Sequence, residues 1–149
     1  MLSIQILRSD DDFSDTLTRD RYIDFLFTHL GRFGDPKEDI GRCLDYAFSS
    51  QEGKGGFALA AWDEGELVGA LIMNRTGMSG YIPQNILVYV AVRADQRGRG
   101  VGRQVIERAL ELAQGDVKLH VEYDNPAKRL YERIGFANKY ADMRYKKQG

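Results

Sequence analysis

Val90-Ala91-Val92-Arg93-Ala94-Asp95-Gln96-Arg97-Gly98-Arg99-Gly100-Val101-Gly102 is the stretch on which the reading of this chain turns. The apolar run from Ile86 to Val92 ends in a charged turn, and Gly98, Gly100 and Gly102 follow it. Beyond them Val101, Val105, Ala109 and Ala113 recur every fourth residue, with Ile106 and Leu110 beside them, which is one face of a helix. Strand, glycine-rich turn and helix together aim unpaired backbone N–H groups and the positive end of a helix dipole at an anion. Glycine suits such a turn because a side chain would hold a phosphate away from the N–H groups, and because tight turns often need positive φ. The stretch reads as a pyrophosphate cradle.

Other glycine patterns fit less well. A Walker loop ends in Gly-Lys-Ser/Thr, and Gly102-Arg103-Gln104 does not supply it. A dinucleotide fingerprint is G-x-G-x-x-G in the first βα unit, whereas the spacing from Gly98 is G-x-G-x-G and the unit lies two-thirds of the way along the chain. A plain solvent-exposed turn is the bland alternative. Arg97-x-x-Gly100-x-Gly102 resembles the R/Q-x-x-G-x-G/A motif with which the GNAT superfamily of N-acyltransferases holds the pyrophosphate of acetyl-CoA.

The rest of the chain sets the bounds. A length of 149 residues suits one domain with one core, spanning 1–149. Hydrophobic residues at 43% and charged residues at 29% indicate a globular chain. Twenty-one basic against 22 acidic side chains argue against a nucleic-acid partner, which needs a basic face. The longest apolar run is too short to cross a bilayer, and the start Met1-Leu2-Ser3-Ile4-Gln5-Ile6 lacks the basic and apolar blocks of a signal peptide, so no membrane role and a cytoplasmic location are expected. The single cysteine, Cys43, excludes an intrachain disulfide and reads as a buried thiol; two histidines without a Cys/His cluster give no metal site.

In chain order, residues 2–8 alternate as a first strand. A helix capped by Ser9 and Asp10 follows, carrying Phe13, Leu17, Ile23, Leu26, Phe27 and Leu30 with a break near Asp20. His29 falls near its end, where an imidazolium suits the dipole, and is given no catalytic role. Asp35 and Pro36 begin a second helix with the stripe Ile40, Cys43, Leu44, Ala47, Phe48. Phe57 to Trp62 and Leu67 to Met73 form a hairpin across Asp63-Glu64-Gly65-Glu66. A longer connection, Asn74 to Gln84, leads to the strand Asn85 to Val92. After the glycine turn a helix runs to Gln114, then come a strand Val117 to Tyr123, a short helix Pro126 to Ile134 stopped by Gly135, and a last strand Phe136 to Tyr145. The order β-α-α-β-β-β-α-β-α-β demands one parallel crossover and hairpin pairing elsewhere, hence an α/β fold with a mixed sheet covered by helices.

That order is similar to the GNAT fold, and a second motif strengthens the likeness. Leu130-Tyr131-Glu132-Arg133-Ile134-Gly135-Phe136, preceded by Asn125 and Ala127, resembles the family's N-x-x-A-x-x-L-Y-x-x-x-G-F segment. Asn125 lies six residues before Tyr131 where the family pattern has seven, so either one residue is missing or Asp124 takes the asparagine position. The resemblance implies acetyl-CoA as cosubstrate, with pantetheine lying as an extra strand in a gap where the opening strand bulges and splays from the next. It implies Val90 and Val92 as its backbone partners, Arg97, Gly98, Arg99, Gly100, Gly102 and Arg103 around the pyrophosphate, and Asn125 on the pantetheine. Tyr131 matches the tyrosine that protonates the leaving thiolate. His120 and Glu122, in Leu119-His120-Val121-Glu122-Tyr123-Asp124-Asn125, match a strand that carries a histidine or glutamate base in protein N-terminal acetyltransferases. Bland roles stand beside these: solvated charges for Arg97 and Arg99, ring packing for Tyr131, a merely hydrogen-bonded His120.

The implied reaction is attack by a neutral primary amine on the thioester through a tetrahedral intermediate. A longer acyl group fits the same residues, as does a non-catalytic acyl-CoA-binding or sensing module. The acceptor, a small molecule, a protein or peptide N-terminus or a lysine, should meet the Gly31 to Asp35 loop and the Asn74 to Gln84 connection. A homodimer is left open.

Overall fold

The computed structural model describes residues 1–148, and its strands follow the apolar runs. They are β1 (Leu2–Leu7), β2 (Gly56–Asp63), β3 (Glu66–Arg75), β4 (Asn85–Val92) and β5 (Val117–Leu119). The helices are α1 (Arg19–Leu30), α2 (Lys37–Ala47), α3 (Val101–Leu112) and α4 (Ala127–Ile134). The sheet order is β1-β2-β3-β4-β5, antiparallel except for the β4–β5 pair, which the α3 crossover makes parallel. The mixed sheet expected from the element order is present.

β3 explains why the sheet has helices on both faces. Every residue from Leu67 to Asn74 is buried, whereas a strand with one wet face would alternate. On one face Ala58, Ala60, Ala70 and Ile72 meet Leu26, Ile40 and Leu44 of α1 and α2. On the other, Leu59, Ala61, Leu71 and Met73 meet Val101, Val105, Ile106 and Ala109 of α3. Gly69 lets α3 approach, since a Cβ there would lie 3.2 Å from Ala61 Cβ and 3.3 Å from Val101 Cγ1. Tyr22 brings a hydroxyl into the apolar layer and donates its proton between the Leu59 and Leu71 carbonyls, each 2.9 Å away.

Four expectations change. The first helix does not begin at Ser9: a 3-10 turn (Asp10–Asp12) forms there, held by Asp12 Oδ2 accepting from the N–H groups of Arg8 and Ser9, and α1 starts only after Thr18, whose Oγ1 accepts from Arg21 N at 3.1 Å. Phe13 and Leu17 still reach the core, from a loop. Asp35 does not cap α2; Pro36 takes that position and the Asp35 carboxylate turns toward Tyr89. The strand expected to run to Tyr123 pairs only from Val117 to Leu119. Phe136 to Tyr145 forms no strand. Tyr140, Met143 and Tyr145 are all exposed and no strand pairs with the segment, so its apolar residues gain no burial from an extended pairing. No helix is long and apolar enough to cross a membrane among the described residues.

Candidate active site

Where β4 leaves β5, the sheet opens. The start of β5 is pinned to β4: Asn85 Nδ2 donates to the Gln114 carbonyl at 2.8 Å, Asn85 N to that of Asp116, and Asp116 N to Gln84 Oε1. Pairing covers Asn85–Val117, Ile86–Lys118 and Leu87–Leu119, and then stops. On the other edge of β4 the register slips at the same place, from Met73 opposite Leu87 to Ile72 opposite Tyr89, leaving Val88 as an extra residue. A bulge bends and twists its strand, and here it turns β4 away from β5.

The backbone direction beyond the bulge follows from one hydrogen bond. Arg93 N–H donates to the Val68 carbonyl at 2.9 Å, so Arg93 and Ala91 turn their polar groups toward β3. With a period of two, Val90 and Val92 turn theirs the other way, into the gap. Arg97 Nε, which donates to the Val92 carbonyl at 3.4 Å, lies on that side. The edge thus carries donors and acceptors, with only the Val92 carbonyl met by Arg97, at the spacing an extended amide-bearing chain would match.

This edge runs into the glycine turn. Gly98 and Gly100 have φ of +80° and +82°, a region that L side chains rarely adopt, and nothing lies within 4 Å of the Cβ either would carry. Gly100 is the N-cap of α3, so the N–H groups of its first turn have no partner within the helix and share the positive end of the dipole. Gly102 also serves packing. A Cβ there would sit 3.3 Å from Leu130 Cδ2 and 3.4 Å from Val92 Cγ2, so its absence lets α3 pack on α4 and β4.

The arginines divide. Arg99 is exposed above the turn. Arg103 pairs with Glu107 at 3.2 Å along the helix. Arg97 reaches back, donating to the His29 carbonyl at 2.8 Å, while Ala94 N donates to His29 Nδ1 at 3.4 Å. These two bonds tie the end of α1 to the turn. His29 is therefore not the imidazolium expected at a helix end; burial, then the charges of Arg97 and Arg93, push its pKa down and leave the ring neutral, an acceptor. Nothing in the sequence links residues 29 and 97.

Tyr131 projects from α4 into the α3-side core, 8% exposed, with its ring edge-on to Phe136 at 5.9 Å between centroids. Burial pushes its hydroxyl up to about 12, so it keeps its proton near neutrality. Asn125 precedes Pro126, the N-cap of the same helix, and its side-chain Oδ1 accepts from Ala127 N at 2.9 Å.

His120 and Glu122 lie just past the end of β5, and both are exposed. The alternation that would place them on one face does not apply, because pairing has stopped. Arg144 Nη2 lies 3.2 Å from His120 Nδ1. A guanidinium only donates, so Nδ1 is the acceptor and the proton of the neutral ring sits on Nε2. Burial is the first cause lowering the His120 pKa; Lys118 and Arg144 add to it and Asp142 opposes.

Two further contacts involve the loop between α1 and α2. Arg32 pairs with Asp124 at 2.9 Å, joining the α1–α2 loop to the loop before α4. Tyr89, on β4 beside the bulge, donates its hydroxyl to Asp35 Oδ2 at 2.5 Å. The sequence does not mark Tyr89, which reads as one more residue of an apolar run. A small hollow of about 100 Å³, lined by Arg8, Phe57, Arg75 and Asn85 among others, does not include any cradle residue.

The family profile for the acetyltransferase (GNAT) family matches residues 16–136. No match is found among curated proteins. Solved structures with the same fold include an aminoglycoside acetyltransferase from an uncultured soil metagenomic sample, 21% identical, with 99% of each chain covered and a TM-score of 0.66. Another is the ribosomal-protein-alanine N-acetyltransferase from Brucella melitensis biovar Abortus 2308, 20% identical, with 98% of this chain and 99% of that one covered and a TM-score of 0.62. A third is an aminoglycoside N-acetyltransferase in complex with CoA, 13% identical, with 100% and 96% covered and a TM-score of 0.66. A bulged strand with an open edge, a glycine turn at a helix N-terminus and a profile spanning most of the sequence agree: the chain belongs to the GNAT family and is an acyl-CoA-dependent acetyltransferase.

Proposed function

We propose that this chain is a single N-acetyltransferase domain that moves the acetyl group of acetyl-CoA to a primary amine. The observation that carries the reading is succession: the open edge of β4 at Val90 and Val92 leads, through one 3-10 turn at Ala94–Gln96, into the N–H groups of the glycine turn and of α3. Along it the pantetheine arm would pair with backbone, and the pyrophosphate would meet Gly98, Gly100, Gly102 and the side chains of Arg99 and Arg103. Arg97 contributes by position, fixing the turn against α1. Asn125 orders the start of α4 by accepting from Ala127 N and keeps its amide N–H₂ for the cosubstrate.

The acceptor amine attacks the thioester carbonyl carbon as its neutral form; the C–N bond forms, the C–S bond breaks, and the sulfur leaves with a proton. Tyr131 is the donor in this reading, since burial keeps its hydroxyl protonated. The proton lost by the amine goes to His120 or, in reserve, Glu122. His120 must first give up the Arg144 contact that occupies Nδ1.

The test is release of free CoA thiol from acetyl-CoA over an amine panel spanning small amines, aminosugars, peptide N-termini and lysine side chains. Thiol release that depends on an amine, with the acetylated amine recovered, supports transfer. Tight acetyl-CoA binding without release on any amine means a binding or sensing module. Equal release from longer acyl-CoA thioesters would widen the donor class.

A further inference from the structure

The structure points to one carboxylate as the anchor of the acceptor, and this inference rests on the transfer reading above. We infer that Asp35, held by Tyr89, binds an ammonium group of the acceptor other than the amine that reacts, so that the acceptor class is a di- or polyamine.

Position comes first. Tyr89 follows the bulge residue Val88 and precedes Val90, whose polar backbone groups face the gap. The Tyr89 side chain lies on the α1–α2 face, among the residues packed under those helices. Asp35 therefore stands one tyrosine side chain away from the strand edge where the thioester would lie, on the α1–α2 face of the sheet.

Charge comes second. Two cations bear on Asp35, Arg32 in the same α1–α2 loop and Arg144, whose guanidinium feels its charge, and both are engaged by other aspartates. Asp124 is paired with Arg32 at 2.9 Å and Asp142 with Arg144 at 2.9 Å, whereas Asp35 forms no ion pair among the described residues. Its one side-chain partner is the Tyr89 hydroxyl, at 2.5 Å on Oδ2. Tyr89 is 8% exposed, and the bond fixes an otherwise exposed carboxylate in one orientation. A carboxylate ordered in advance gives up less freedom on meeting a cation, which is why it can exceed the small worth of a mobile surface pair. Its remaining lone pairs suit an ammonium donor.

Chemistry decides which ammonium. The nitrogen that attacks a thioester must carry a free lone pair, and a carboxylate beside it would favour its protonated, unreactive form. A productive partner for Asp35 is thus a second cationic group of the same molecule, placed while a neutral amine reaches the gap.

The experiment compares 1,4-diaminobutane with butylamine and 1,5-diaminopentane with pentylamine, on wild type, Asp35→Asn and Tyr89→Phe. Initial rates of thiol release are measured together with calorimetric binding of each amine to the CoA-bound protein. Wild type should favour each diamine over its monoamine by about tenfold in kcat/KM, carried by KM, and Asp35→Asn should erase that ratio with kcat nearly unchanged. Tyr89→Phe, which frees the carboxylate without removing it, should reduce the ratio only in part. Equal treatment of diamine and monoamine by wild type, or a ratio that survives Asp35→Asn, overturns the assignment. If no amine releases thiol, the transfer reading fails, and the calorimetric ratio alone still decides whether Asp35 holds an ammonium.

Discussion

β2 and β3 pair at eight positions and β4 and β5 at three, although all four strands belong to one sheet. The first pair is covered on both faces, and its strands are apolar almost from end to end. The second is held at one end by Asn85 and Gln84 and then diverges at a bulge. In the sealed half, backbone polar groups satisfy one another and side chains carry the stability. In the open half, backbone groups stay free and glycines replace side chains, so the same strand geometry serves a ligand. Substitutions should therefore separate the two halves: in one they should cost folding, in the other chemistry.

The largest effect belongs to the open half. Tyr131→Phe keeps the ring and its edge-on contact with Phe136 but removes the proton. Turnover should fall by about 10²- to 10⁴-fold, or roughly 3–5 kcal/mol of barrier, with acetyl-CoA affinity and melting temperature near wild type. Turnover within about twofold of wild type would make the tyrosine a packing residue and blur the contrast.

Its counterpart in the sealed half is Leu71→Ala. Leu71 is fully buried, on the α3 side of the central strand. Truncation should cost about 2–5 kcal/mol of folding free energy in urea titration, through lost burial and the cavity left behind. Per folded molecule, acetyl-CoA binding should survive. Selective loss of binding at unchanged stability would mean that the two halves are coupled through the sheet.

Gly100→Glu tests the cradle between them. It forces a side chain into a backbone conformation at φ +82° and puts a negative charge where the pyrophosphate belongs. Acetyl-CoA affinity should drop by roughly 10²-fold in calorimetry, the worth of one or two hydrogen bonds to a charged group. Since nothing lies within 4 Å of that Cβ, the protein should still fold. A folded variant that binds acetyl-CoA as wild type does would remove the cradle from the site.

The division also explains what could be seen in the sequence. The sealed half follows from local rules: Ile40, Leu44 and Ala47 at helical spacing, Val101, Val105 and Ala109 likewise, and a hairpin turn at Asp63 to Glu66. The glycine turn was visible because positive φ and an exposed helix N-terminus demand particular residue types. Beyond Leu119 the local signal misleads. Val121 and Tyr123 continue a strand-like pattern, but the bulge at Val88 has already removed the neighbour they would pair with. A bulge is a property of two strands and has no signature in one. The same holds for Arg97 on the His29 carbonyl, 68 positions away in the chain, and for Tyr89 on Asp35, 54 away. Such contacts join residues that share no pattern.

His120 stands where the open half meets solvent, and the smallest effect is expected there. As a base it needs a lone pair toward the amine, yet Arg144 occupies Nδ1 and the neutral ring carries its proton on Nε2. The ring is also exposed enough for water to replace it. His120→Gln should therefore slow turnover by about tenfold, less than a fully committed base would cost. The pH profile gives the sharper reading. Burial, with Lys118 and Arg144, holds the His120 pKa below the ordinary histidine value. The protonated form is inactive as a base, so rate should rise with pH through that lowered pKa and level off above it. The acceptor's own ammonium titrates as well, but it does so in both proteins. His120→Gln should remove the lower limb and leave the upper one. If the lower limb persists at wild-type rate, proton removal lies elsewhere, and Glu122→Gln is the variant that would find it. If neither substitution changes rate or profile, the amine sheds its proton to water, and the open half supplies binding and a general acid alone.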